Sequence, residues 1–199
     1  MSIAITDDHR SLADTVSSFA EKRDLRGAAR AKLESPDDAL PEFWGEFAEL
    51  GWLGLHLPED VGGSGYGIEE LVVVVEELAR AVAPGPFVPT VIASAVIAAA
   101  ADDDLKARLL PGLADGSTVA AVALGGSVAV SGSTASGDAG VALGAGSASL
   151  LLVPAGDDVA IVEVGDGVTV GTPPSLDPTR RSARVTLDGV AVTVISGAR

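Results

Sequence analysis

Leu55-His56-Leu57-Pro58-Glu59-Asp60-Val61-Gly62-Gly63-Ser64-Gly65-Tyr66-Gly67 separates two segments of helical character, and its reading decides the first half of the chain. Pro58 stops any helix, and the glycines let the backbone turn with positive φ or pass close to another group. A glycine-dense connection is costly in chain entropy, so it needs a geometric reason. Two readings are open. One is a tight interhelical turn, which physical grounds alone favour. The other is a loop whose backbone lies against a ligand.

Upstream, Thr6-Asp7-Asp8 reads as a helix start, with Thr6 as cap and two acids at the positive end of the helix dipole. Leu12, Val16, Phe19 and Ala20 recur at helical spacing. The pattern predicts one long surface helix ending near Ser35-Pro36, with its Lys/Arg cluster a solvated face. A second helix is predicted from about Pro41 to Leu50, where Gly51 suits the position after the last turn. Downstream, Leu71, Val75, Leu78 and Val82 predict a helix over Gly67 to Ala83. The run Val72 to Val75 implies burial of that helix on nearly all sides, or contact with another subunit. Ala83-Pro84-Gly85-Pro86 breaks it. Phe87 to Ala101 reads as an apolar helix interrupted early by Pro89. Asp102-Asp103-Asp104 caps a last helix, Leu105 to about Leu113.

From Thr118 the texture changes. No Lys, Arg or His lies between Leu109 and Thr179. Short Val-rich runs start at Val119, Leu150, Val159, Val168, Ala183 and Val190, and Gly156-Asp157, Gly165-Asp166-Gly167 and Asp188-Gly189 give turns between them. Many short strands with Gly-rich turns predict a β-barrel or sandwich. The fold class is therefore α+β, an all-helical domain over residues 1–116 followed by a β-barrel domain over 117–199.

Composition narrows the function. The chain has 199 residues, 47% of them hydrophobic but only 4% aromatic, so Ala, Val and Leu must form most of the core. A net charge of −15 argues against nucleic acid and anionic membranes as partners. The absence of cysteine excludes disulfides, thiolate metal sites and Cys nucleophiles. Val91 to Ala101 is too short to span a bilayer, and Met1 to Ile5 lacks a signal-peptide pattern. The expectation is a cytoplasmic protein.

Phe47-Ala48-Glu49-Leu50-Gly51-Trp52-Leu53-Gly54-Leu55, followed by Leu57-Pro58-Glu59 and Gly62-Gly63, resembles the N-terminal helical domain of acyl-CoA dehydrogenases. Leu109-Leu110-Pro111-Gly112-Leu113-Ala114-Asp115-Gly116 is similar to the family phrase before its β domain, and Leu176 to Arg181 with Val185 to Val190 is similar to its last strands. The resemblance implies α,β-desaturation of an acyl-CoA thioester: a carboxylate takes the α-proton and FAD takes the β-hydrogen as hydride. It implies electron-transfer flavoprotein as a partner. The family continues into a four-helix bundle that carries the catalytic glutamate and most of the tetramer interface. That bundle is absent from this sequence, so no catalytic residue is assigned. The chain reads as one piece of a longer or split enzyme, inactive by itself.

The resemblance also places the flavin-contacting residues, at Leu124, Gly126 and Ser127. The family loop there carries Thr-Glu-Pro and Gly-Ser-Asp. Here only Gly126-Ser127 remains, and no aromatic or Thr occupies the next flavin-contacting segment near Val141-Ala142-Leu143. A degenerate half is therefore weighed beside the catalytic reading, one that pairs with a competent second acyl-CoA dehydrogenase subunit or C-terminal half. It is similar to the arrangement in bacterial steroid side-chain enzymes. An unrelated module binding acidic or apolar ligands is the third reading. Outside the resemblance the chemistry is sparse. His9 reads as an exposed helix residue and His56 as packing. Glu59 and Asp60 read as solvated or capping, and Arg180-Arg181 as a surface or subunit contact, with a phosphate or carboxylate the alternative.

Overall fold

A computed structural model describes residues 5–197. Six α-helices come first: α1 (Asp7–Lys22), α2 (Leu25–Glu34), α3 (Trp44–Glu49), α4 (Ile68–Arg80), α5 (Phe87–Ala100) and α6 (Asp103–Ala114). The strands follow: β1 (Ala120–Ala123), β2 (Ser127–Ser131), β3 (Thr134–Leu143), β4 (Leu150–Ala155), β5 (Asp158–Glu163), β6 (Val168–Gly171), β7 (Ala183–Ala191) and β8 (Thr193–Ile195).

The single long first helix is in fact two. Asp24 adopts a left-handed φ of 46° and its carboxylate accepts from Gly27 N at 3.1 Å, starting α2. A Cβ on Gly27 would sit 2.1 Å from the Asp24 carboxylate, so a larger residue there would displace the capping side chain. The second predicted helix is shorter than its apolar pattern, since Pro41–Phe43 form a turn that leads into Trp44. Pro89 lies in the first turn of α5, where a missing N–H is harmless, and does not interrupt the helix. Asp102 caps α6 as expected, accepting from Leu105 N.

The first core is aromatic. Phe47 lies within 5.2–6.1 Å, centroid to centroid, of Phe19, Phe43, Trp44, Trp52 and Phe87. Leu71, Val74 and Leu78 bring α4 onto this cluster. The valine run does not bury α4 all round: Val74 is buried, while Val72 is 55% exposed.

The second core joins helices to sheet. Ala93 and Ile97 of α5 and Leu109, Leu110 and Leu113 of α6 meet Ala120, Leu150, Leu152 and Ile161. Two buried hydroxyls on α5 anchor this junction. Thr90 Oγ1 accepts from Ala120 N and donates to Ala120 O, both at 3.3 Å. One turn later Ser94 bonds His56.

The expected barrel is an open, mixed eight-stranded sheet in the order β6-β7-β3-β1-β4-β5-β8, with β2 added to β3. Among the described residues no ladder joins β6 to β8. These end strands have only four and three residues. The sheet still folds over a core of its own, where Ala121, Leu151, Val153 and Val162 meet Ala139 and Val185. Both faces of β4 are buried, which explains its unbroken apolar run. Asp188-Gly189 is not a turn between strands. β7 runs through it to Ala191, with Gly189 at φ 62°. β2 and β3 were not anticipated, because their Gly, Ser and Ala content hides any apolar alternation.

Candidate functional site

The glycine loop is folded onto itself. Gly63 N donates to Pro58 O, Ser64 N to Gly54 O, Gly65 N to Leu57 O and Tyr66 N to Leu55 O, all at 2.9–3.0 Å. A Cβ on Gly63 would fall 2.0 Å from Leu57 O. These glycines allow two arms of the loop to touch, and four of the loop's amide protons are spent internally. The geometry is that of a tight interhelical turn, with no backbone cradle offered to a ligand by these four amides.

His56 sits in the first arm. Its ring is held at 3.1 Å from Ser94 Oγ, and Ser94 Oγ donates to Val91 O. His56 Nδ1 is buried without a partner. Burial lowers the His56 pKa, which favours the neutral ring. This is a packed histidine. Glu59 and Asp60 lie in the first turn of a short 3-10 helix, Glu59–Val61, and are exposed.

The paired arginines bind the protein itself. Arg180 Nη1 donates to Ala83 O at 2.8 Å, and Arg181 pairs with Asp38. With Gly85 N donating to Thr179 O, they tie the approach to β7 onto the α4–α5 connection and the segment after α2. The carboxylate alternative is realised within the chain.

His9 is not an exposed helix residue: its side chain is only 13% exposed and meets Glu70 at 3.1 Å. The signal was present. His9 stands three residues after the cap Thr6, and Glu70 three residues after Gly67, both positions from which a side chain reaches back to the cap.

Leu124, Gly126 and Ser127 lie in and just after the β1–β2 connection. Leu124 is 68% exposed and Val141, the next residue along the β1–β3 register, is 50% exposed. Gly126 has φ 131°, and a Cβ there would stand 2.5 Å from Asp138 O and 2.8 Å from Ala139 Cα. The glycine serves the close approach of this connection to β3. Ser127 pairs with Asp138 in the hairpin. Asp138 in turn caps Gly140 N at 2.7 Å and pairs with Arg184 at 2.9 Å. At Gly125, by contrast, a Cβ would meet nothing within 4 Å.

These residues do not make a flavin site by themselves. No aromatic residue occurs after Phe87, so the sheet offers no ring to an isoalloxazine. No cation lies between Leu109 and Thr179 to meet a pyrophosphate, and Arg184 is engaged by Asp138. Among the described residues there is no group of His, Cys, Asp and Glu side chains able to hold a metal, and no helix long and apolar enough to cross a membrane.

The helical half leads through the Leu109–Gly116 phrase into a mixed sheet, the order that the acyl-CoA dehydrogenase resemblance implies. Residues 6–117 match the acyl-CoA dehydrogenase N-terminal domain, and the chain belongs to that family. It is similar to acyl-CoA dehydrogenase FadE34 of Mycobacterium tuberculosis, 33% identical over 212 residues that cover all of this chain and 29% of the relative. FadE12 of the same organism is 45% identical over 85 residues, 42% of this chain and 22% of that protein. Among solved structures, the Tcur3481-Tcur3483 steroid ACAD G363A variant superposes with a TM-score of 0.83 at 27% identity, over 98% of this chain and 58% of that one. An acyl-CoA dehydrogenase from Geobacillus kaustophilus gives 0.83 at 17% identity, over 98% of this chain and 60% of that one, a likeness of fold. The chain thus spans under a third of FadE34 and somewhat over half of the solved relatives. The family match sets aside an unrelated binding module.

Proposed function

We propose that this chain is the N-terminal and middle portion of an FAD-dependent acyl-CoA dehydrogenase that introduces an α,β double bond into an acyl-CoA thioester. The family match over residues 6–117 carries this reading. Residues 1–116 form its helical domain and 117–199 its β domain. The base comes from another segment or subunit, a second acyl-CoA dehydrogenase subunit or C-terminal half. Leu124, Gly126 and Ser127 stand at the border of the flavin, and the groups that hold its ring and phosphates come from elsewhere. The acyl group is a bulky one such as a steroid side chain, a choice supported by the neighbour titled a steroid ACAD. Electrons pass to an electron-transfer flavoprotein in the cytoplasm.

A second reading is a non-catalytic partner that completes a flavin site on another chain. The seating of Gly126 against β3 and the missing ring and cations favour it. Co-expression with candidate acyl-CoA dehydrogenase subunits, then assay of acyl-CoA-dependent dye reduction, separates the two. If Ser127→Ala lowers the activity of the assembled enzyme strongly, this chain contributes to catalysis. Unchanged activity favours the partner reading, and no activity with any subunit would count against both.

A further inference from the structure

Four stretches of chain, distant in sequence, meet at Arg181. Its guanidinium places Nε 2.7 Å and Nη2 2.5 Å from one oxygen of Asp38, in the segment between α2 and α3. Its carbonyl accepts from Gly146 N at 2.9 Å, in the connection between β3 and β4. Just before it, Arg180 Nη1 donates to Ala83 O and Thr179 O accepts from Gly85 N, both between α4 and α5. A Cβ on Gly146 would stand 2.6 Å from the Asp38 carboxylate, so the β3–β4 connection passes directly against the ion pair. Asp37 pairs with Lys32 of α2, which fixes the segment that carries Asp38.

The backbone at this meeting point is strained. Among the described residues other than glycine, Asp24, Val82 and Arg181 have left-handed backbone, with φ of 46°, 55° and 44°. Asp24 opens α2 and Val82 follows the last turn of α4, where a helix end turns the chain. Arg181 ends no helix. A non-glycine residue persists in this region only where its surroundings hold it, and such residues cluster at switches. The bonds that hold Arg181 and its two predecessors are polar. The apolar junction of helices and sheet is separate, formed by α5 and α6 on β1, β4 and β5.

The ion pair is open on one side. The Arg181 side chain is 15% exposed and that of Asp38 51%, so water and salt ions reach the acid while the cation stays in place. We propose that Asp38 and Arg181 form an ionic latch between the helices and the sheet. It opens locally, freeing residues 83–85 and 144–147 from residues 179–181 while the apolar junction stays closed. Opening loosens the connection that follows β3, close in sequence to Val141, beside the border where the flavin reading places the cofactor. The latch itself does not depend on that reading.

Amide hydrogen exchange of the chain, read by NMR without flavin, tests this. Gly85 and Gly146 report on the latch, and Leu152, buried in the helix–sheet core, reports on the junction. Asp38→Ala is expected to speed exchange at Gly85 and Gly146 at least tenfold and to leave Leu152 within twofold. On a chain of net charge −15 the loss of an acid relieves repulsion, so the acceleration must come from the lost pair. Arg181→Lys, which keeps the charge without the guanidinium fork, is expected to fall between Asp38→Ala and wild type. Raising sodium chloride from about 0.05 to 0.5 M should speed the two glycines relative to Leu152 in wild type but not in Asp38→Ala. Unchanged glycine exchange in Asp38→Ala, equal acceleration at all three amides, or a salt effect of the same size in Asp38→Ala overturns the proposal.

Discussion

His9 and Glu70 join the starts of two helices. His9 stands at the third position of α1, where its Nδ1 accepts from Thr6 N at 3.3 Å while Thr6 Oγ1 accepts from His9 N. Glu70 stands at the third position of α4 and takes Gly67 N at 2.9 Å. Gly67 has no side chain to answer with, so Glu70 turns its other oxygen to His9 Nε2. The exit of the glycine loop is thereby fixed to the first helix.

Removing Glu70 strands two donors at once. Glu70→Ala is expected to cost about 1–2 kcal/mol. A cycle with His9→Ala should yield a coupling of about 0.5–1 kcal/mol in chemical denaturation. Additive single effects would show that the two side chains do not cooperate.

His56 sets a pH dependence. Burial lowers its pKa, so the folded state resists the proton that the unfolded chain accepts. The stabilisation is complete above the unfolded value of about 6.5 and is lost as the pH falls from there through the lower folded value. Thermal unfolding from pH 7.5 to 5.5 should show wild type losing stability relative to His56→Gln. Parallel curves would remove His56 from the balance.

Val82→Gly should relieve left-handed strain and stabilise the chain by about 1 kcal/mol, raising Tm by a few degrees. Phe47→Ala, at the centre of the aromatic core, should cost about 3–5 kcal/mol. Differential scanning calorimetry reads both, and an unstable Val82→Gly chain would mean that the valine side chain contributes more contact than strain.

Gly125→Ala and Gly126→Ala separate packing from ligand contact. Gly125 faces open space and should tolerate alanine within about 0.5 kcal/mol. Gly126 should lose about 2 kcal/mol or more, since the new Cβ must push β3 aside. Equal tolerance at both positions would show that the connection is not seated on β3 in solution.

The helices were largely legible because their signals are local. Thr6, Gly51 and Asp102 act where the sequence places them. The break at Asp24 was hidden because an aspartate capping from left-handed backbone resembles one on a helix surface. The sheet was legible where both faces are buried, as in Leu150 to Val153, and illegible over Ser127 to Leu143, where small Ala, Gly and Ser residues leave little apolar pattern. The contacts of Arg181 with Asp38 and His9 with Glu70 span 143 and 61 residues, beyond any local pattern. Leu124, Gly126 and Ser127 were singled out only through family likeness, and in the structure Gly126 and Ser127 serve the hairpin.

The most direct measurement is a visible absorption titration of the purified chain with FAD. The expected result is an additive spectrum, with a shifted flavin band only after a complementary acyl-CoA dehydrogenase subunit is added. A perturbed band developing at one FAD per chain with no partner present would contradict the conclusion that these residues do not form a flavin site on their own.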